Sequence, residues 1–221
     1  MSLFVTATNT NVGKTWATLR LIDTLAQKGI RPGVYKPIET GVEDKPLDAT
    51  ALLDACCKVN DAFAKLTTDD ITAYTFSLPA APFCADDDRI IDTCYLIDKY
   101  DWLRRRCDIL LIEGAGGLLV PITETYTMLH LIKDTDAHAL LVTPSRLGCI
   151  NETLLSMMAL RHYDVAFDWC VNLYEDKETF DQVTRPYYDT VFPNWWTLQD
   201  GLDGFLDRYV TATTNGVADR S

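Results

Sequence analysis

The sequence predicts an α/β domain built on a doubly wound, mostly parallel sheet flanked by helices. Three observations predict it. Short apolar runs rich in β-branched residues alternate with stretches whose apolar residues recur at helical spacing. The run Ile109-Leu110-Leu111-Ile112 has no polar alternation, as expected of a strand buried on both faces of a parallel sheet. The first apolar run ends in a polar loop and passes straight into a helical pattern at Gly13-Lys14-Thr15, which opens a βαβ unit.

In chain order, strands are expected at residues 3–8, 33–37, 108–113, 137–144 and 167–172, and helices at 15–28, 48–57, 93–106, 128–133, 151–162 and 198–210. Ala17, Leu21 and Leu25 form the apolar stripe of the first helix, and Gly29 is its stop. Residues 66–92 contain Pro79, Pro82 and Asp86-Asp87-Asp88, and are expected as an irregular loop with a solvated acidic run. The helical and strand periods both weaken over residues 175–193. Residues 1–210 are expected as one domain and 211–221, polar and small, as a flexible tail. In such sheets ligands bind at the carboxyl ends of the strands, and every motif below falls at such an end.

A chain of 221 residues, 48% hydrophobic, supports one full core. Its net charge of −12, from 20 basic and 32 acidic side chains, argues against nucleic acid or an anionic membrane as partner. An anionic ligand must then be held by a local nest of amides, lysines and metal. The seven cysteines form no Cys-x-x-Cys pair and sit mostly in apolar runs, the usage of a reduced, cytoplasmic protein. There is no signal-peptide pattern and no apolar stretch of about 18 residues, so a cytoplasmic location without membrane attachment is expected.

Three sites carry chemistry. The polar loop ending Asn11-Val12-Gly13-Lys14-Thr15 has the build of a phosphate-binding loop. Its amides and the helix N-terminus would face a phosphate chain, Lys14 would reach the β- and γ-phosphates and Thr15 would ligate Mg²⁺. Thr8 stands where a strict Walker A has its first glycine, and Ala7 where a variant loop one residue longer has it. Lys36 lies in Tyr35-Lys36-Pro37-Ile38-Glu39-Thr40-Gly41; Pro37 forces it extended at a strand terminus. The plain alternative is an exposed surface lysine. Glu113 ends the third strand ahead of Gly114-Ala115-Gly116-Gly117, the position of a Walker B acid, with small residues that let backbone approach a ligand. The plain alternative is a turn glutamate.

These blocks, taken in order, resemble the dethiobiotin synthetase family, P-loop enzymes of biotin biosynthesis. The resemblance rests on Val12-Gly13-Lys14-Thr15, on Tyr35-Lys36-Pro37 with Thr40-Gly41, and on Glu113-Gly114-Ala115-Gly116-Gly117 followed by Pro121. A fourth block, Arg146-Leu147-Gly148-Cys149-Ile150-Asn151, is similar to the family's Leu-Gly-x-Ile-Asn loop. The resemblance implies ATP-dependent closure of a diamine, 7,8-diaminononanoate, with CO₂ through a carbamate and a carbamic-phosphoric anhydride. It implies ATP as co-substrate, Mg²⁺ as cofactor and a homodimer with the substrate site at its interface. By position it implies Lys14, Lys36 and Thr10 in catalysis, and Asn11, Val12, Gly13, Lys14, Thr15, Glu113, Gly116 and Asn172 on the nucleotide, with Asn172 reading adenine. It places Thr40, Gly117, Leu147, Gly148, Asn151 and Tyr187 on the substrate, and Thr15, Asp48 and Glu113 on the metal. On sequence alone Asp48 reads as an ordinary helix N-cap.

The chain departs from the family pattern at Ala7, in place of glycine, and at Asn11, where many members carry an acid. No Gly-x-Ile-Pro segment follows Asn172, which leaves the choice between ATP and other nucleoside triphosphates open. Two other readings compete. The cobalamin-pathway amidotransferase-like synthetases carry a glutaminase domain for which this chain is too short. The partition and septum-placing switch ATPases carry an extra early lysine in a Gly-rich loop, where this chain has Thr8 and Asn9. His130, His138 and His162 show no ligand spacing, Arg104-Arg105-Arg106 suits a helix C-terminus, and Trp195-Trp196 fits either a packed lid or an interface.

Overall fold

A computed structural model describes residues 1–218. The elements run β1 (Ser2–Ala7), α1 (Lys14–Gln27), β2 (Pro32–Tyr35), β3 (Ile38–Thr40), α2 (Leu47–Cys57), α3 (Thr68–Ile71), β4 (Tyr74–Phe76), α4 (Pro82–Ala85) and α5 (Thr93–Arg104). They continue with β5 (Ile109–Gly117), α6 (Met128–Asp134), β6 (His138–Pro144), α7 (Cys149–His162), β7 (Phe167–Asn172), α8 (Lys177–Thr179), a π-helical turn (Phe180–Thr184), α9 (Arg185–Val191) and α10 (Leu202–Ala218).

The main sheet has five strands, all parallel, in the order β2-β5-β1-β6-β7. This is the doubly wound class that the alternation predicts. Chain order reverses direction at β1, so the loop after β1 sits at the switch point where such sheets bind ligands. Every residue of β1 is buried, as are Ile109 to Ile112, because helices cover both faces. Leu3, Phe4, Val5, Leu110, Leu111, Leu140 and Leu141 are fully shielded from water. Burying one such side chain is worth about 1.5–3 kcal/mol, so this layer dominates the stability of the sheet.

Helix α1 lays Ala17, Leu21, Ile22 and Leu25 on the sheet, and Gly29 follows it at φ 73°, a conformation glycine adopts without strain. Helix α10 packs beside α1, where Lys28 pairs with Asp207 at 2.7 Å. α10 reaches into the stretch expected as a tail; residues 219–221 of that stretch lie outside the described residues.

The stretch 66–92 differs from the expected loop. It contains α3, α4 and β4, and β4 pairs in parallel with β3 through Ile38–Tyr74, Glu39–Thr75 and Thr40–Phe76. Each piece has three or four residues, too short for a periodic signal. The acidic run is also not wholly solvated: Asp86 is 4% exposed and its carboxylate accepts from the Ile90 and Ile91 amides, which pins the turn after α4.

Beyond β7, Phe180, Tyr188 and Trp195 build a second apolar cluster with Cys149 and Val171. Trp196 stacks on Phe205 of α10. The chain then runs along β7: Val171 donates its amide to the Trp196 carbonyl at 3.0 Å, and Leu198 donates to the Val171 carbonyl at 2.9 Å. All seven cysteines are free thiols. Among the described residues no helix is long and apolar enough to cross a membrane.

Candidate active site

The loop after β1 is shaped by two left-handed residues, Asn11 at φ 59° and Gly13 at φ 102°. Asparagine tolerates this region better than most residues. Gly13 is needed twice over, because a Cβ there would lie 2.3 Å from Asn172 Nδ2 as well as carrying the backbone strain. Helix α1 starts at Lys14 with no side-chain cap, so its first amides remain available to an anion. Lys14 Nζ donates to the Asn9 carbonyl at 3.1 Å, folding back over the loop. Burial lowers its pKa to about 8; the Lys36 charge adds to this, while Glu113 and Asp48 oppose it.

Lys36 follows β2 and is 3% exposed. It donates to Glu113 Oε1 at 2.6 Å and to Asp48 Oδ2 at 2.9 Å. Burial alone would lower its pKa, but the two carboxylates outweigh burial and hold it above the usual lysine value. Asp48 shows the mirror image: burial would raise its pKa, and Lys36 brings it below the usual aspartate value. The surface-lysine reading of Lys36 therefore fails.

Thr15 Oγ1 lies 3.0 Å from both Asp48 Oδ1 and Glu113 Oε1. One hydroxyl proton cannot serve both acceptors, so three hard oxygens converge with a surplus of lone pairs. Two carboxylates and a hydroxyl form the kind of set that suits Mg²⁺, which keeps waters and takes substrate phosphate oxygens for its remaining positions. Among the described residues no group of three or more His, Cys, Asp or Glu side chains gathers for a metal. The second carboxylate oxygen of fully buried Glu113 lies 2.9 Å from Thr18 Oγ1, which also reaches the Lys14 carbonyl.

Asp48 is not the N-cap that sequence alone suggests. Pro46 occupies that position, with no side-chain cap, and Asp48 sits in the first turn of α2. The cap is supplied from β3 by Glu39, whose two carboxylate oxygens accept from the Asp48 and Ala49 amides, each at 2.9 Å. Burial raises the Glu39 pKa and these amides partly restore it. With the helix end satisfied from outside, the Asp48 side chain is free to turn toward Thr15 and Lys36.

These groups line a cleft of about 650 Å³, together with Thr10, Asn11, Gly13, Thr40 and Gly116. Its far wall comes from Pro79, Ala80, Ala81 and Pro82, in the stretch expected to be irregular. Two lysines and a metal-type oxygen set at the mouth of a phosphate-binding loop are equipped to bind a nucleoside triphosphate and spread charge over its terminal phosphate.

The AAA domain family matches residues 1–167 of the chain. The ATP-dependent dethiobiotin synthetase BioD of a Sulfurovum species is 60% identical over 204 residues, 92% of this chain and 97% of that protein. The chain belongs to the dethiobiotin synthetase family. It is thereby an ATP-dependent ligase of biotin biosynthesis. BioD of Wolinella succinogenes is 39% identical over 84% of this chain and 87% of its own length. Among solved structures, a plasmid partition protein from Borrelia burgdorferi superposes with a TM-score of 0.61 at 11% identity, covering 94% of this chain and 98% of its own. The MinC:MinD complex of Aquifex aeolicus gives 0.53 at 16% identity over 94% of this chain and 86% of its own. At such identities the likeness concerns the fold alone.

Other residues expected at the synthetase site are placed as follows. Gly117 pairs with Ala7 across the β5–β1 register, and a Cβ there would come within 3.0 Å of the Thr8 carbonyl. Asn172 is 3% exposed at the end of β7; its Nδ2 donates to the Val12 carbonyl at 2.9 Å. Gly148, at φ 93°, starts α7, and Leu147 beside it is 77% exposed. Asn151 lies in the first turn of α7, and Tyr187 packs its ring on Tyr188 and Phe192. Leu147, Gly148, Asn151 and Tyr187 do not line the cleft that holds Lys14 and Lys36. The histidines are dispersed: His130 caps α6 through Thr127, and His138 pairs with Asp168. Sequence reasoning missed the roles of Thr18 and Glu39. Thr18 carried a signal, lying one turn after Lys14 on the helix face that meets Glu113. Glu39 stood inside a quoted motif, and only the chain path through β3 shows what it caps.

Proposed function

We propose that the chain closes 7,8-diaminononanoate with CO₂ to dethiobiotin at the expense of ATP. One amine adds to CO₂ to give a carbamate and a proton. A carbamate oxygen attacks the γ-phosphorus, the bond to the ADP oxygen breaks, and a carbamic-phosphoric anhydride forms. The second amine attacks the carbamoyl carbon, phosphate leaves with the electron pair, and a proton is released.

The observation that carries this reading is the convergence of Lys14, Lys36, Thr15, Asp48 and Glu113 in one cleft. Carbamate and γ-phosphate are both anions, and bringing them in line needs cations between them. Lys14 serves the β/γ-phosphates and Lys36 the meeting point of carbamate and phosphoryl group, with Thr10 and Thr40 on the surrounding oxygens. Mg²⁺, held by Thr15, Asp48 and Glu113, would supply further charge neutralisation on the phosphates. Asn172 faces the base. Leu147, Gly148, Asn151, Gly117 and Tyr187 serve the carboxylate end of the substrate, which is contributed across a homodimer, consistent with their distance from this cleft within one chain. The enzyme works without nucleic acid or membrane, in the cytoplasm.

The test is phosphate release from MgATP and bicarbonate, with dethiobiotin followed by mass spectrometry. Release that depends on the diamine, with matching product, is expected. Release indifferent to the diamine would sink the reading in favour of a switch ATPase.

A further inference from the structure

Two side-chain amides form a relay between the end of β7 and the phosphate-binding loop. The Leu173 main-chain amide donates to Gln199 Oε1 at 3.1 Å, Gln199 Nε2 donates to Asn172 Oδ1 at 3.0 Å, and Asn172 Nδ2 donates to the Val12 carbonyl at 2.9 Å. A side-chain amide can usually turn over and exchange its oxygen and nitrogen at little cost. Here both ends of the relay are main-chain groups of fixed polarity: Leu173 N–H only donates, and the Val12 carbonyl only accepts. Turning either amide over would set oxygen against oxygen at one end and nitrogen against nitrogen at the other. The polarity of Asn172 is therefore dictated by Gln199.

Gln199 lies in the segment that pairs with the outer side of β7, where the chain lacks the family's usual Gly-x-Ile-Pro. Asn172 Nδ2 is also the atom against which the missing Cβ of Gly13 would press, so the relay ends at the turn that opens α1.

We propose that Gln199 is the positioning residue for purine choice, acting by locking the orientation of Asn172. The inference rests on Asn172 facing the base, as read above. After the relay is formed, Asn172 retains one N–H and one oxygen lone pair. A donor beside an acceptor complements the N7/N6 edge of adenine, whereas guanine offers two acceptors, N7 and O6, on that edge. Gln199→Glu keeps the shape and the contact to Leu173 but presents an oxygen to Asn172, which inverts the locking interaction. Gln199→Leu removes it without adding charge.

The experiment is calorimetric titration of MgADP and MgGDP into the full chain, the two Gln199 variants and Asn172→Ala, with no diamine present. Wild type is expected to prefer MgADP, and Gln199→Glu to lower the ADP:GDP affinity ratio by about tenfold, the scale of one good bidentate base contact. Gln199→Leu should lower it less. A role in folding alone would weaken both nucleotides equally. An unchanged ratio in both Gln199 variants, with Asn172→Ala losing its preference, overturns the relay while leaving the base reading of Asn172 intact. An unchanged ratio in all three variants overturns both, and turnover of the diamine decides the ring-closing reaction separately.

Discussion

Lys36→Met gives the most direct test of how the cleft is held together. Wild-type Lys36 is buried and bonded to Glu113 and Asp48 at 2.6 and 2.9 Å. Methionine fills similar volume but leaves two carboxylates facing each other, one of them fully buried. Removing one partner from a buried pair costs about 3–5 kcal/mol. For a chain of this size each kcal/mol moves Tm by about 2–4 °C, so a loss of roughly 6–20 °C is expected by calorimetry. The deficit should depend on pH in a defined way. Lys36 is held above its ordinary value of 10.5, so its contribution is complete below that pH and fades as pH rises through the folded value. Asp48 is held below its ordinary value of 3.8, so its contribution is complete above that pH and fades as pH falls through the folded value. The gap between variant and wild type should be flat between these limits and narrow in acid. Adding Glu113→Gln should recover part of the Tm but no turnover. Turnover itself should fall by at least about 10²–10³-fold, the usual cost of one positioned charge at a developing anion. A Tm change below about 2 °C, under 1 kcal/mol, would refute the burial argument. Turnover within about threefold of wild type would remove Lys36 from the chemistry.

Glu39→Ala should leave the α2 amides uncapped, costing about 1 kcal/mol, and should loosen Asp48. Hydrogen exchange at residues 47–51 should quicken without any nucleotide, and the Mg²⁺ concentration for half-activity should rise about 10–100-fold, as for lost outer-shell partners of metal ligands. Gly13→Ala meets both a left-handed φ and an atom at 2.3 Å, so nucleotide affinity should collapse on titration, whereas Gly29→Ala, with open space around its Cβ, should leave affinity unchanged. Lys14, held at a pKa of about 8, should take up a proton when a triphosphate binds at pH 8–9. Titrations in buffers of different ionisation heat read that uptake directly, and Lys14→Met should abolish it. For folding, the same shift means that stability rises with pH from about 8 toward lysine's ordinary value of 10.5, because the unfolded chain holds more protons there.

The features legible in the sequence were those written locally. Ile109 to Ile112 announce a doubly covered strand, and Gly13-Lys14-Thr15 sits where a strand hands over to a helix. Glu113 could be placed because the glycines after it mark the strand's end. Asp48 was harder, since an acid near a helix start normally caps it, and that reading fails only because Glu39 arrives from β3. The β3–β4 pair and the Pro79 to Pro82 wall were illegible because pairing partners about 36 residues apart leave no period in so short a run. Gln199 was silent for a related reason: its meaning lies in two hydrogen bonds to the distant end of β7.

The stretch from Trp196 to Leu198 has a colloidal consequence as well. β7 is an outermost strand of the sheet, and outer strands offer a template onto which another molecule can add. Here the chain covers that flank with its own backbone at Val171, anchored by Trp196 on Phe205. Trimming this stretch to simplify the protein would therefore uncover main-chain donors and acceptors, and aggregation during expression would be its first symptom.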